Sequence, residues 1–241
     1  MKSAADKVRL KEKQRRKKMQ SIIFDFNGTL FSDTALHEEA WQQFVQELIG
    51  RRLTAEEFHR IHGRTNHLIV EGILARRLTD AEAEELSERK EAIYRELVLK
   101  EDKIELIAGV TDFFDALKEN GCLMNIATAS PKANLDFYFD IFQLARWFDY
   151  EKVIYNDGLL ASKPAPDFYV QAAVNLAADP KQMIVFEDSF VGLQGAKNAQ
   201  AKQIVAVATD GNHEALEQTG LVDFVIDDFF DPRLQTLIHE S

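Results

Sequence analysis

The residues best suited to chemistry are polar side chains that end or directly follow short apolar runs. They are Asp25, Asn27, Thr128, Ser130, Lys163, Glu187 and Asp188, and Ala129 lies between Thr128 and Ser130. Carboxylates are preferred ligands of hard cations such as Mg²⁺, whereas a lysine ammonium and loop N–H groups suit phosphate oxygens. Singly, each residue has an ordinary structural explanation, such as a turn at Asn27-Gly28 or a helix cap at Thr128. Together they predict a phosphate-and-magnesium site.

The elements that must bring these residues together are strands that alternate with helices. The predicted strands are SIIFDF, CLMNIATAS, KVIYN, QMIVFED, IVAVAT and DFVIDD. The predicted helices between them cover residues 110–117, 132–142, 164–178, 190–200 and 213–219. This alternation predicts an α/β fold with a doubly wound parallel sheet covered on both faces. In such sheets ligands bind outside the carboxyl ends of the strands, where these polar residues occur.

A second domain interrupts this alternation directly after the first strand. From Thr34 to Lys100 the sequence is rich in helix formers, and Trp41, Val45, Leu48 and Ile49 recur at helical spacing. No convincing strand occurs in this stretch. We therefore expect a core of residues 21–34 and 105–241 with an inserted helical domain over residues 35–104.

Composition and the pattern of apolar residues exclude several classes of protein. The chain has 241 residues, a formal net charge of −11 and one cysteine, Cys122. A single cysteine excludes a disulfide framework, and no apolar run reaches membrane-spanning length. The first residues also lack the apolar stretch of a signal peptide. We expect a cytoplasmic protein that is a monomer or weak dimer, with no membrane partner.

The charge is unevenly distributed. Residues 1–20 hold nine basic and two acidic residues, which leaves the remainder strongly acidic. The acidic remainder repels nucleic acid, so a nucleic-acid partner is not expected. The basic leader has three interpretations: an arm for nucleic acid or anionic surfaces, a disordered tail, or untranslated sequence before a start at Met19.

Four motifs in order resemble those of the haloacid dehalogenase-like superfamily, in its phosphatase and β-phosphoglucomutase branch. They are FDFNGTL, IATAS, SKPAPDFY and FEDSFVG, and the resemblance covers residues 21–230. The helical insertion matches the cap domain of this branch, with DTALHEEAW at the cap entry and ERKEAIY within it. The resemblance implies a hydrolase acting on a small phosphorylated metabolite beneath a cap that closes and opens during turnover.

The resemblance also implies a role for each residue. Asp25 would attack phosphorus and become a phospho-aspartate. Mg²⁺ would be held by Asp25, the backbone carbonyl of Asn27 and Asp188, with Glu187 close by. Thr128, the adjacent N–H groups and Lys163 would hold the transferring oxygens. The residues expected to bind phosphate or substrate are Gly28, Ala129, Ser130, His37, Arg64 and Lys90.

One residue departs from the family pattern. Asn27 occupies the position of an Asp that protonates the leaving oxygen and then activates the attacking water. General acid–base catalysis contributes roughly 10²- to 10⁴-fold, and an amide cannot transfer a proton in this way. The sequence favours a weak or specialised phosphatase in which His37 or another cap residue supplies the proton.

Three other accounts of Asn27 remain open. The substrate could have a leaving group that needs no protonation, as in the dehalogenases and phosphonate hydrolases of the superfamily. Asn27-Gly28 could deamidate to restore an Asp, since Asn before Gly is labile. The protein could bind a phosphorylated ligand without turnover.

The cap sequence says less about specificity. Asn66 stands where the phosphoglucomutase group carries an arginine that binds the distal sugar phosphate, which counts against β-phosphoglucomutase itself. His59, His62 and His67 are interpreted as surface or cap-interface histidines rather than a metal cluster, because Gly63 interrupts their helical spacing.

Overall fold

The computed structural model describes residues 20–61 and 65–239, and these residues form two compact units. Among the described residues, the core unit contains 20–32 and 106–239, and the helical unit contains 33–61 and 65–105. The basic leader up to Met19, His62 and Arg64 lie outside the described residues. Within the part that is described, none of the helices is long and apolar enough to cross a bilayer.

The core unit is built on a sheet of six parallel strands. These are β1 (Ser21–Phe24), β2 (Leu123–Pro131), β3 (Ile154–Asn156), β4 (Met183–Glu187), β5 (Gln203–Val207) and β6 (Phe224–Ile226). The strand order is β3-β2-β1-β4-β5-β6, so the order reverses direction beside β1. The predicted α/β fold with a doubly wound parallel sheet is confirmed.

Six helices connect or follow these strands in the core unit. They are α5 (Val110–Glu119), α6 (Lys132–Ile141), α7 (Asp167–Asn175), α8 (Phe190–Asn198), α9 (His213–Glu217) and α10 (Leu234–His239). The strands are rich in apolar residues because both faces of the sheet are covered, and every residue of β1 and β4 is buried. Phe24 illustrates this packing, since its ring contacts those of Phe114 and Phe186 at centroid distances of 5.1 and 5.0 Å.

The helical unit consists of four helices. They are α1 (Thr34–Ile49), α2 (Ala55–Ile61), α3 (Asn66–Leu74) and α4 (Asp80–Val98). Their apolar cluster includes Trp41, Phe44 and Val70. The longest helix, α4, begins with a capping box, in which the Thr79 hydroxyl accepts from the Glu82 N–H and the Glu82 carboxylate accepts from the Thr79 N–H.

Several elements differ from the prediction at their ends. Helix α7 begins at Asp167 rather than at Pro164, because residues that precede proline avoid helical backbone angles and 163–166 form a turn instead. Strand β1 ends at Phe24, two residues early, which leaves Asp25 and Asn27 outside the regular ladder. The sequence prediction did not include helix α10.

Candidate active site

The candidate active site lies at the carboxyl ends of three neighbouring strands. Phe24, the last residue of β1, pairs with Ile126 of β2 and with Phe186 of β4. The residues that follow these partners therefore share one edge of the sheet, beside the point where strand order reverses. This is where ligands bind in open parallel sheets. The geometry explains how positions far apart in sequence form one cluster.

A cluster of charged side chains lies at this edge of the sheet. The Nζ of Lys163 lies 2.5 Å from Asp25 Oδ1 and 3.3 Å from Glu187 Oε2, and all three side chains are buried. Burial opposes the positive charge of Lys163, but the carboxylates of Asp25 and Glu187 outweigh it and hold the pKa of Lys163 well above its usual value. The lysine is therefore a permanent cation aimed at Asp25.

Three carboxylates converge in the cluster. Asp25, Glu187 and Asp188 each offer an oxygen atom, and these atoms lie within 4.8 Å of one another. Burial of its carboxylate, followed by the charges of Glu187 and Asp25, raises the pKa of Asp188 well above its usual range. Three carboxylates against one ammonium leave uncompensated negative charge, and oxygen ligands at this spacing suit a hard divalent cation such as Mg²⁺. The residues present fit the predicted metal.

A close backbone approach holds Asp188 in place. Gly28 has a φ of +76°, and a Cβ there would lie 2.1 Å from Asp188 Oδ2, so only glycine fits. Thr29 Oγ1 donates to Asp188 Oδ1 at 2.9 Å, and Thr209 Oγ1 donates to the carbonyl of Gly28 at 2.8 Å. The turn after β1 is thus fixed from both sides, with Asp188 against its backbone.

Glu187 is held by several donors. Ser189 donates to Oε1 from its hydroxyl at 2.5 Å and from its backbone N–H at 3.2 Å. Tyr169 donates its hydroxyl to Oε2 at 3.3 Å. Burial and the charge of Glu187 raise the pKa of Tyr169 well above its usual value, so the phenol stays protonated. These contacts fix Glu187 so that it faces Lys163.

Asn27 is bonded to three side chains. Its Oδ1 accepts from Ser130 Oγ at 2.6 Å and from Thr128 Oγ1 at 3.4 Å, and its Nδ2 donates to the Tyr138 hydroxyl at 2.7 Å. Ser130 and Thr128 come from the end of β2, and Tyr138 comes from α6. The structure therefore brings the predicted hydroxyls to Asn27, together with a tyrosine that the sequence did not indicate.

Of the other predicted residues that the structure describes, Ala129 lies in the core unit, and His37 and Lys90 lie in the helical unit. Ala129 is exposed between Thr128 and Ser130. His37 and Lys90 belong to the helical unit, where Lys90 Nζ lies 2.9 Å from His37 Nδ1 and 2.8 Å from Glu91 Oε1. Their predicted role in substrate binding remains a prediction, as does that of Arg64.

A buried network surrounds Lys90 in the helical unit. Asn66 Nδ2 donates to Glu91 Oε1 at 2.7 Å, and the His37 ring stacks on Tyr94 at a centroid distance of 3.8 Å. Burial would raise the pKa of Glu91, but the charges of Lys90 and His37 and the hydrogen bonds from Lys90 and Asn66 lower it to about 2. Asn66 stands where the phosphoglucomutase group is expected to carry an arginine, and its side chain is hydrogen-bonded to the Glu91 carboxylate.

The sequence did not indicate five residues whose hydroxyls are hydrogen-bonded to residues of the site. They are Thr29, Tyr138, Tyr169, Ser189 and Thr209. Ser189 has the local pattern of a helix N-cap and Tyr169 lies within SKPAPDFY, so both had some signal. Tyr138 lies inside an amphipathic helix, 111 residues from Asn27, with no spacing that relates the two.

Comparisons with known proteins identify the family of this chain. A family model described as haloacid dehalogenase-like hydrolase matches residues 19–200. The chain is 27% identical over 212 residues to a phosphorylated carbohydrates phosphatase from Thermotoga maritima, covering 86% of this chain and 94% of that protein. It is 29% identical over 198 residues to hexitol phosphatase B from Escherichia coli K12, covering 80% of this chain and 86% of that protein.

A solved structure matches over nearly its whole length. The crystal structure of a HAD hydrolase, family IA, variant 3, from Entamoeba histolytica has a TM-score of 0.83 and 34% identity, and the match covers 91% of this chain and 99% of that one. The resemblance noted from the four motifs is therefore confirmed. This chain is an enzyme that belongs to the haloacid dehalogenase-like hydrolase family.

Proposed function

We propose that the protein is a magnesium-dependent phosphatase of small phosphorylated carbohydrates that works through a phosphoryl group carried by Asp25. The observation that carries this proposal is the cluster in which Lys163 faces Asp25 while Glu187 and Asp188 add uncompensated negative charge. Two relatives that align over most of this chain are phosphatases, one of phosphorylated carbohydrates and one of a hexitol.

The first step is attack by Asp25. A carboxylate oxygen of Asp25 forms a bond to phosphorus, and the bond from phosphorus to the ester oxygen of the substrate breaks. Lys163, 2.5 Å from Asp25 Oδ1, orients the carboxylate and compensates charge that builds on the phosphoryl oxygens. In the second step water attacks phosphorus, which releases phosphate and restores the Asp25 carboxylate.

The hydroxyls at the end of β2 are suited to hold the transferring phosphoryl group. Thr128 and Ser130 are both buried, and the Ser130 N–H donates to Thr128 Oγ1 at 3.1 Å. This compact loop places two hydroxyls against the side chain of Asn27, which follows Asp25 by two residues. Donors fixed in advance stabilise developing charge without needing to reorganise during the reaction.

The metal would be held by Asp25, Asp188 and the backbone carbonyl of Asn27, with Glu187 near. When bound, Mg²⁺ offsets the repulsion between the Asp25 carboxylate and the anionic phosphate. Glu187 is already engaged by Ser189, Tyr169 and Lys163, so we assign it chiefly to orienting Lys163.

Asn27 determines what is unusual in this mechanism. It cannot protonate the leaving oxygen or activate the water, so both proton transfers must use another group or proceed unassisted. We propose a slow or specialised phosphatase, with His37 or another residue of the helical unit as the proton donor. Leaving groups that need little protonation would be turned over best.

Deamidation of Asn27 is disfavoured by its surroundings. The reaction requires the Gly28 nitrogen to attack Asn27 Cγ and expel ammonia. The Gly28 N–H instead donates to the carbonyl of Phe31 at 2.8 Å, and the Asn27 amide is held on both sides. We therefore expect Asn27 to remain an amide in the native protein.

The setting we propose is cytoplasmic, with a small-molecule substrate as the main partner. The thiol of Cys122, the one cysteine of the sequence, is buried, which suits a reducing compartment. The excess of acidic over basic residues disfavours nucleic acid as a partner. A monomer or weak dimer remains our expectation.

A panel of sugar and sugar-alcohol monophosphates tests the function. We expect phosphate release that requires Mg²⁺, stops with EDTA and falls at least about 10³-fold in Asp25→Asn, the nearest substitution in shape. Release that is equal in Asp25→Asn would refute the nucleophile. Tight binding of phosphoesters with no release from any of them would establish the alternative, a binding protein without turnover.

A further inference from the structure

Tyr138 lies where it can fix the position of the Asn27 side chain. Its side chain is fully buried, and its ring stacks on Phe26 with centroids 4.2 Å apart and planes within 15° of parallel. Phe26 is the residue directly before Asn27 and is itself fully buried. The ring therefore cannot move aside, and its hydroxyl is held 2.7 Å from Asn27 Nδ2.

The opposite side of the Asn27 amide is bonded just as closely. Ser130 Oγ donates to Oδ1 at 2.6 Å and Thr128 Oγ1 adds a longer contact at 3.4 Å. The partners on both sides are hydroxyls, which can donate or accept, so the amide is held by a hydrogen bond at each end of its side chain. Tyr138 and Ser130 form a two-sided clamp on residue 27.

We propose that Tyr138 is a positioning residue that acts through Asn27 on the phosphoryl-holding hydroxyls of Ser130 and Thr128. This inference rests on the proposed function for the role of those hydroxyls. By fixing Nδ2, Tyr138 fixes Oδ1, and Oδ1 in turn holds Ser130 Oγ at its place beside the reacting centre. The clamp accepts an acid as well, because a tyrosine hydroxyl can donate to a carboxylate as readily as it accepts from an amide.

The test is a double-mutant cycle on the full-length protein. Tyr138→Phe removes the hydroxyl and keeps the ring that stacks on Phe26. We expect kcat to fall roughly fivefold with KM little changed, since one neutral hydrogen bond is lost and its effect is on positioning. In an Asn27→Ala background the same substitution should have no further effect, because the residue through which Tyr138 acts is gone.

A matched control removes a hydroxyl elsewhere in the core unit. The Tyr150 hydroxyl donates to Asp136, outside the site, so Tyr150→Phe should leave kcat unchanged. A third arm uses Asn27→Asp, in which Tyr138→Phe should again lower kcat, because the carboxylate loses one of its three hydroxyl partners. Thermal melting of each variant shows whether the fold is retained.

The outcomes separate the inference from the function. Wild-type kcat in Tyr138→Phe, or an equal loss in the Asn27→Ala background, would overturn the clamp. If no phosphoester is hydrolysed at all, the proposed function fails instead. The same variants are then compared by calorimetry, through their affinities for inorganic phosphate in the presence of Mg²⁺. A Tyr138 effect on that affinity that disappears in Asn27→Ala supports the clamp, and an effect that is absent or persists refutes it.

Discussion

Two buried lysines, Lys163 in the core unit and Lys90 in the helical unit, have different charged surroundings. Lys90 bonds to one carboxylate, that of Glu91, and to the ring of His37. Lys163 contacts two carboxylates, and a third, Asp188, lies within the same cluster. A second buried carboxylate, Asp33 Oδ2, lies 3.5 Å from His37 Nε2, so two carboxylates face a lysine and a histidine around Lys90. Around Lys163, three carboxylates face one lysine, which leaves excess negative charge.

This difference separates a structural ion pair from a site built for a ligand. A buried pair with matched charges and complete hydrogen bonds needs nothing further. A cluster with excess carboxylates is costly until a cation arrives, because like charges repel strongly when water is excluded. Excess charge of this kind marks functional sites, and here it lies at the ends of β1 and β4.

Loss of Glu91 should be the largest effect on stability. Glu91→Gln leaves Lys90 buried without a countercharge, so we expect the free energy of unfolding to fall by roughly 3 kcal/mol. Urea unfolding of the variant and the wild type measures it. Glu88→Gln, which alters an exposed ion pair with Arg95, serves as the control and should change stability by less than about 1 kcal/mol. A Glu91→Gln protein as stable as the wild type would refute the balanced-pair description.

The same pair should make stability depend on pH. The pKa of Glu91 is lowered from its usual value of 4.5 to about 2 in the folded protein, so the folded state favours the charged form. Its contribution is fully present above pH 4.5 and is lost as the pH falls from there toward 2. Unfolding of Glu91→Gln should lack that component of the acid-induced loss.

A carboxylate at residue 27 should increase turnover. Asn27→Asp supplies a group that can transfer protons, and we expect phosphate release to rise about 10²-fold. The substitution also adds a fourth carboxylate to the cluster, so stability without Mg²⁺ should fall while activity with Mg²⁺ rises. Steady-state kinetics together with melting in EDTA measures both. An unchanged rate would show that the missing acid does not limit the enzyme.

Removing one carboxylate from the cluster of Asp25, Glu187 and Asp188 should raise stability without Mg²⁺, whereas Glu91→Gln should lower stability. Asp188→Asn relieves repulsion, so without Mg²⁺ the variant should be more stable than the wild type by about 1 kcal/mol. Added Mg²⁺ should stabilise the wild type by about 2.7 kcal/mol at 100 times its Kd and should have little effect on the variant. Differential scanning fluorimetry with Mg²⁺ and with EDTA measures these shifts. Equal Mg²⁺ shifts in the two proteins would contradict the metal assignment.

The sequence predicted the cluster because parallel strands impose a simple rule. Residues that follow buried parallel strands meet at one edge, so Asp25, Lys163 and Asp188 could be assigned to one site without coordinates. The division into two units also follows a visible change, from dense helix formers to alternating strands and helices.

The contacts that orient the cluster could not be predicted in this way. Tyr138 meets Asn27 because α6 packs its ring on Phe26, and which residue of a helix reaches a given atom depends on packing rather than on spacing. Lys90 and Glu91 are adjacent in a polar helix, which normally indicates an exposed face, yet both are buried. Burial of charged residues depends on partners such as His37 and Asn66 from other helices.

The most direct test of the central claim is the covalent state of Asp25 during turnover. Because Asn27 cannot activate the attacking water, the phospho-aspartate should accumulate with a substrate whose leaving group needs little protonation, since its formation is then faster than its hydrolysis. Wild-type protein is mixed with Mg²⁺ and a hydrolysable sugar monophosphate, quenched in acid and digested for mass spectrometry. We predict one phosphoryl group on the peptide containing Asp25 and none in Asp25→Asn. Phosphate release without any phosphoryl group on that peptide would contradict the account.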